Sequence, residues 1–303
     1  MKKFNAKLLL FGEYGLLVGA KALAIPFSHF KGGLEFADEL LPDNFKASQL
    51  ELDRFLSYFQ HHQLNAKMNF PLRLTKIKSD LEKGLYFNSD IPLQYGVGSS
   101  GALCAALYER YGNYQFDLNE IKDKKNLLSV LKQDFSLMEA YFHGQSSGFD
   151  PLVSYINRPV LLKSGEIELP SSALKTNGFS LYLIDSEMSG ATAPLVRLFM
   201  NKLQDETFES LFREVFLPAN DRAIQALLAG DVQDLFEQLG LLSRFQVEHL
   251  QEMIPIHFRQ TVKDMQVAGI PVKLLGSGGG GFLLAFVPDG AEIPERIKSL
   301  KVF

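Results

Sequence analysis

The stretch Pro92–Arg110, PLQYGVGSSGALCAALYER, decides how this chain is to be read. Gly96, Gly98 and Gly101 spell G-x-G-x-x-G, the spacing of a dinucleotide-binding turn. With 24 glycines in 303 residues that spacing carries little weight alone, so its flanks must be read. A dinucleotide fold wants a clean apolar strand before the glycines and an acidic residue about 20 positions later, closing a second strand. Here NSDIPLQY precedes them, and its Pro92 spoils a central strand. Asp117 and Glu120 lie in FDLNEIKD, which reads as a capped helix start. A Walker loop would place Lys before its Ser or Thr, and GVGSSGA has none. What remains is general physics: glycines admit a ligand close to the backbone, and a helix from about Ser99 aims free N–H groups and a positive dipole end at an anion. The stretch reads as a phosphate-holding loop. Its residues alone fit a plain loop equally well, capped by Ser99 or Ser100, with Cys104 and Leu107 facing a core.

Composition narrows the partners. The chain is 46% apolar and 22% charged, ordinary for a soluble globular protein of one large or two average domains. Net charge is −4 from 31 basic and 35 acidic residues, with no basic block free of acidic neighbours, so a nucleic-acid partner is not expected and a small molecule is. Cys104 is the single cysteine, which excludes an internal disulfide and a cysteine-cluster metal site. The apolar run in MKKFNAKLLLFGEYG stops at Gly12, short of a signal-peptide core, and no stretch approaches the ~18 apolar residues of a membrane span. A cytoplasmic protein without membrane contact is expected.

Along the chain, KLLLF and LRLTKI read as strands, whereas QLELDRFLSYFQHH, the segment after Gly98, and Leu118–Phe142 read as helices. PVLLKSGEIELP predicts a hairpin turning at Ser164 and Gly165. The turn-rich Pro170–Gly178 marks a boundary before a fresh strand, FSLYLID. Helices follow from about Ala193 to Leu250 and from Pro255, then PVKLL and FLLAFV joined by GSGGGG. This is an α+β layout with a domain at 1–170 and another at 171–303.

Two more glycine-marked stretches change the weight of the first. NAKLLLFGEYGLLVGAKALAIPF places Lys7 at the head of a strand and Glu13 after it, followed by Gly15 and Gly19. VKLLGSGGGGFLLAF sets Gly276 and Gly278 to Gly281 between two strands. In order, the three resemble the motifs of the GHMP kinases, the family of galactokinase, homoserine kinase, mevalonate kinase and phosphomevalonate kinase: G-E-H-x-V-x-x-G-x-x-A-L-A, P-x-x-x-G-L-G-S-S-A-A and K-x-x-G-A-G-G-G-G. MEAYFHGQSSGFDPLVSY further resembles the mevalonate kinase stretch ending H-G-x-x-S-G-x-D, with an acid, here Glu139, eleven positions before the final Asp, here Asp150. The likeness runs from Lys7 to Phe286. Tyr14 departs from the family's His, and Gly101 and Ser277 each stand in place of an Ala.

The resemblance implies a two-domain α+β fold with its active site in the cleft between the domains. It also implies transfer of the γ-phosphoryl group of ATP to an alcohol with Mg2+, the first domain binding ATP. Gly96, Val97, Gly98, Ser99, Ser100, Gly101 and Ala102 would cradle the triphosphate, and Ser100 and Glu139 would hold magnesium, which prefers a few hard oxygens. Asp150 would receive or orient the substrate proton, and Lys7 would neutralise Asp150 and the transferring phosphoryl. Glu13, Tyr14, His143, Thr192, Gly278 and Gly279 would line the acceptor. Mevalonate is the implied acceptor, because FHGQSSGFD carries His143 and Gly144 in the mevalonate kinase arrangement and a small carboxylic acid needs only one or two cations, Lys7 and Arg197. Phosphomevalonate, the alternative, would ask for a denser basic cluster. Read without the family, Glu139 is a solvated helix residue at the edge of the Leu131, Phe135, Met138 and Phe142 face, Asp150 a turn residue before Pro151, Lys7 a surface lysine, and Thr192 a helix cap.

One rival belongs to another class. Gly144, Ser146 and Gly148 match G-x-S-x-G, the nucleophile elbow of serine hydrolases, with His249 or His257 as base. The elbow must join a buried strand to a helix, and the residues before it carry helical periodicity instead.

Overall fold

The computed structural model describes residues 1–38, 40–114, 116, 125–170 and 174–303. Part of the expected boundary segment, and the expected helix start at Asp117–Glu120, lie outside them. The chain divides into two compact units. The first takes Met1–Lys7, Ile25–Pro92 and Gly98–Pro159; the second takes Leu8–Ala24, Leu93–Val97 and Val160–Phe303.

Strand β1 (Lys3–Phe11) neighbours β2 (Ala22–Phe36). In the first unit, β2 pairs antiparallel with β3 (Leu85–Ser89), from Gly32 opposite Ser89 to Phe36 opposite Leu85. Helix α1 (Phe45–His61) buries Leu52, Phe55, Leu56 and Phe59, the i, i+3, i+4, i+7 spacing that puts four apolar side chains on one face. The core lies among α3 (Ser99–Tyr111), α4 (Lys125–His143) and α5 (Phe149–Ile156), where Leu131, Phe135 and Met138 of the expected apolar face are fully buried. Buried Asp134 on α4 accepts hydrogen bonds from the backbone N–H groups of Asn69 and Phe70, so its burial is compensated.

LRLTKI is not a strand. Leu72 makes one isolated bridge to Gly112, and the chain then enters α2 (Leu74–Glu82). Its three-residue spacing, Leu74 to Ile77 to Asp80, places Ile77 and Asp80 inward, and Asp80 is held there by Lys76, Arg110 and Tyr111. A charged anchor thus replaces one apolar position, which hides the helical period from a hydropathy reading.

In the second unit, Ala22–Ala24 of β2 pair with β4 (Val160–Lys163), which forms the expected hairpin with β5 (Glu166–Glu168) through Ser164 and Gly165. A four-stranded sheet runs β7-β8-β6-β9: β6 (Phe179–Asp185), β7 (Val272–Leu274), β8 (Phe282–Pro288) and β9 (Ser299–Lys301). In it β6 pairs antiparallel with β8 and with β9, and β7 pairs antiparallel with β8. The helices are α6 (Thr192–Lys202), α7 (Glu206–Leu211), α8 (Leu217–Ala229), α9 (Val232–His249) and α10 (Arg259–Val267). Asp205 and Asp231 cap α7 and α9 by accepting from the N–H groups of Phe208 and Asp234, satisfying donors a helix start leaves unpaired. Phe199, Phe212, Phe216 and Phe245 form an aromatic core with ring centroids 4.8 to 6.0 Å apart. Among the described residues no helix is long and apolar enough to cross a membrane.

Candidate functional site

In the first unit three helices place their chemistry together. Gly98, at φ +79°, precedes α3, and a Cβ there would lie 2.7 Å from Cγ of Lys7. Only a glycine suits both that backbone and the passing lysine stem. The loop's side chains do not cap the helix: neither Ser99 nor Ser100 closes a cap bond. The Ser100 hydroxyl instead donates to Oε1 of Glu139 at 3.2 Å and lies 3.2 Å from Nε2 of His143, in the last turn of α4. The first N–H groups of α3 have no partner within their own helix, which is what an anion site requires. Gly96 and Val97 belong to the second unit, where a Cβ on Gly96 would stand 2.8 Å from the Leu275 carbonyl oxygen.

Lys7 is 3% exposed, and its Nζ lies 2.8 Å from Oδ2 of Asp150, in the first turn of α5. The Asp150 side chain keeps 30% of its surface in solvent, so the pair joins a buried cation to a carboxylate that can meet a ligand. Glu139 is 3% exposed. Ser146 donates to its Oε2, so both carboxylate oxygens are hydrogen-bonded. Burial first, and then the charge of Asp150, push the Glu139 carboxyl up to about 8, while Ser146, Lys7 and Ser100 act the other way. An acid held so far from ordinary ionisation is stabilised as a carboxylate by an arriving cation. Burial, aided by Lys7 and opposed by Asp150, lowers the pKa of His143.

Among the described residues no cluster of three or more His, Cys, Asp and Glu side chains forms a metal site. The donor set here is one carboxylate and one hydroxyl, hard oxygens too few to enclose an ion. That suits Mg2+, which keeps several waters and takes further oxygens from a bound phosphate.

The remaining candidates lie in the second unit. Glu13 is buried, with Oε1 2.5 Å from Nζ of Lys273, itself buried, and desolvation lowers the Lys273 pKa against the opposing Glu13 charge. Tyr14 adopts φ +59°, packs its ring at a tilt against Phe199, with centroids 4.5 Å apart, and donates from Oη to the Ser277 carbonyl at 2.5 Å; burial raises its pKa. Ser277 Oγ donates to Oγ1 of Thr192 at 3.1 Å. Thr192 is therefore the first residue of α6 and no cap, since the cap position is Ala191. Gly278 and Gly279 sit in a tightly tethered loop, in which Gly279 N–H donates to the Met253 carbonyl. Arg197 is exposed on α6.

The residues brought together in the first unit are thus Lys7, Ser100, Glu139, His143 and Asp150. Two participants escaped the sequence reading. Ser146 reads from the sequence only as a hydrolase nucleophile, and the structure gives the elbow no strand, since α4 precedes it and the hydroxyl donates to a carboxylate. Lys273 was unassigned, although a lysine inside an apolar strand signals a buried counter-ion.

No family model matches the chain. It is 28% identical to a mevalonate kinase of Arabidopsis thaliana over 71% of its own length and 59% of that protein, so the match spans less than two thirds of the plant enzyme. It is 26% identical to a mevalonate kinase of Pyrococcus abyssi over 97% of its length and 90% of the relative. Among solved structures it resembles L. major mevalonate kinase in complex with R-mevalonate, at TM-score 0.64 and 19% identity, covering 96% and 88% of the two chains. It resembles Lactococcus lactis galactokinase in complex with galactose at TM-score 0.66 and 14% identity, covering 94% and 84%. The chain has the GHMP kinase fold, and its sequence relatives carry the mevalonate kinase name.

Proposed function

We propose that this chain is an ATP-dependent kinase that phosphorylates the hydroxyl group of mevalonate. The observation that carries the reading is the Lys7–Asp150 pair standing with Ser100 and Glu139 at the start of α3. Phosphoryl transfer asks a protein chiefly to position charges, and this group contains each charge the reaction needs. Lys7 occupies Oδ2 of Asp150 and leaves Oδ1 to accept the acceptor's hydroxyl proton. The same ammonium offsets negative charge on the transferring phosphoryl group. The N–H groups at the head of α3 would hold phosphate oxygens, and Ser100 and Glu139 would hold Mg2+. A bound Mg2+ supplies charge neutralisation across the phosphates.

The acceptor assignment rests on the relatives' name and on His143 and Gly144 in FHGQSSGFD, because fold likeness extends to galactokinase as well. The roles of Glu13, Tyr14, Thr192, Gly278 and Gly279 toward the acceptor, an ATP-binding part within 1–170, and a cytoplasmic location belong to the same proposal. A coupled assay with Mg-ATP and a panel of mevalonate, phosphomevalonate, homoserine and galactose tests it. Turnover of mevalonate above the others is expected. Preference for another acceptor overturns the substrate, and no turnover with any of them overturns the kinase assignment.

A further inference from the structure

Ser146 is exposed to two demands at once. Its hydroxyl proton goes to Oε2 of Glu139, and its oxygen accepts from the Gly148 N–H at 3.0 Å. Its carbonyl accepts from Ser136 Oγ of α4 at 2.6 Å, so the residue is tied to the helix that carries Glu139 and to the turn that launches α5. A carboxylate at the end of a glutamate side chain can turn about its last bond, and a cation ligand works best when that turn is locked. Here Ser146 takes one oxygen. The other, Oε1, faces Ser100.

We propose that Ser146 is a positioning residue for the cation site: by holding Oε2 of Glu139 it presents Oε1, beside Ser100 Oγ, as the single carboxylate oxygen offered to Mg2+. This rests on the kinase reading above. It also accounts for the serine that the nucleophile-elbow pattern singled out, whose hydroxyl proton is directed at a carboxylate and not at an imidazole. On this assignment Ser146 acts through Glu139, to which its hydroxyl donates.

The test is isothermal titration of the full chain with the ATP analogue AMPPNP across a series of Mg2+ concentrations, and again in EDTA. Ser146→Ala is expected to need about 10-fold more Mg2+ for the same nucleotide affinity, with binding in EDTA close to that of the unaltered chain. Ser146→Thr, which keeps the hydroxyl, restores the Mg2+ dependence. Should the alanine variant fail to fold, Ser146→Cys, with its poorer donor, carries the same expectation. Unaltered Mg2+ dependence in Ser146→Ala, or a threonine variant as weak as alanine, overturns the assignment while leaving the kinase reading standing. An unaltered chain that binds no AMPPNP overturns both.

Discussion

Gly148→Ala tests whether the turn between α4 and α5 sets the geometry of the site. Gly148 has φ +70°, and a Cβ there would lie 2.0 Å from the Lys132 carbonyl oxygen and 2.6 Å from the Ser136 nitrogen, both backbone atoms of α4. Ordinary contact begins at 3.4 Å, so α4 and the start of α5 must part by about 1.4 Å. Holding alanine in the left-handed region costs roughly 1–2 kcal/mol, and forcing a methyl into a filled contact costs roughly 1–3 kcal/mol more. A loss of about 2–5 kcal/mol is expected, a fall of several degrees in melting temperature for a chain of this size. Asp150 lies two residues on and Glu139 sits on the opposing helix, so the same displacement separates them. Misplacement of a reacting group by about 1 Å costs on the order of 100-fold in rate. Thermal unfolding followed by circular dichroism, with kcat from the coupled assay, reads both effects. A melting temperature within a degree of the unaltered chain, together with full kcat, would refute the argument that this close approach fixes Asp150.

Asp150→Asn and Lys7→Met should each lower kcat by about 100-fold or more while leaving Mg-AMPPNP affinity within about twofold; near-normal turnover in either variant removes the assigned roles. Lys273→Met removes the ammonium that faces the buried Glu13 carboxylate and should destabilise the fold by about 3–5 kcal/mol, whereas adding Glu13→Gln should recover most of it; urea unfolding with no recovery in the double variant contradicts the buried-pair account. Desolvation raises the Asp80 pKa, but Lys76, Arg110 and Tyr111 outweigh it and hold the carboxyl at about 2, below its ordinary 3.8. A depressed carboxyl stabilises the fold above its unfolded pKa and loses that contribution as pH falls toward its folded value, so the cost of Asp80→Asn should be about 2 kcal/mol at pH 6 and about half that at pH 3. Equal costs at the two pH values would show that the ion pairs are not responsible.

The glycine loop, the helix after it and the β7–β8 hairpin were legible because they are written in local chemistry. Positive-φ turns need glycine, and buried faces repeat at helical or strand spacing. Leu131, Phe135 and Met138 revealed α4 in this way, whereas Glu139 and Asp150 stand out in the sequence only through the family resemblance. LRLTKI was misread because Asp80 faces inward on partners that include Arg110 and Tyr111, about 30 residues away, and such pairings leave no trace in a hydropathy pattern. Ser100 could equally have been a helix cap, and only folding shows its hydroxyl turned to Glu139 and His143. Lys7 could have been a surface lysine; its burial against Asp150 depends on residues 143 positions apart meeting across the first unit. The sequence by itself determined which segments are helix, strand and glycine turn over most of the chain, since those choices follow from backbone sterics and burial period. Tertiary structure alone decided which charges meet, because an ion pair or a carboxylate–hydroxyl bond is made between distant segments and its energy depends on the desolvation that only the assembled core imposes.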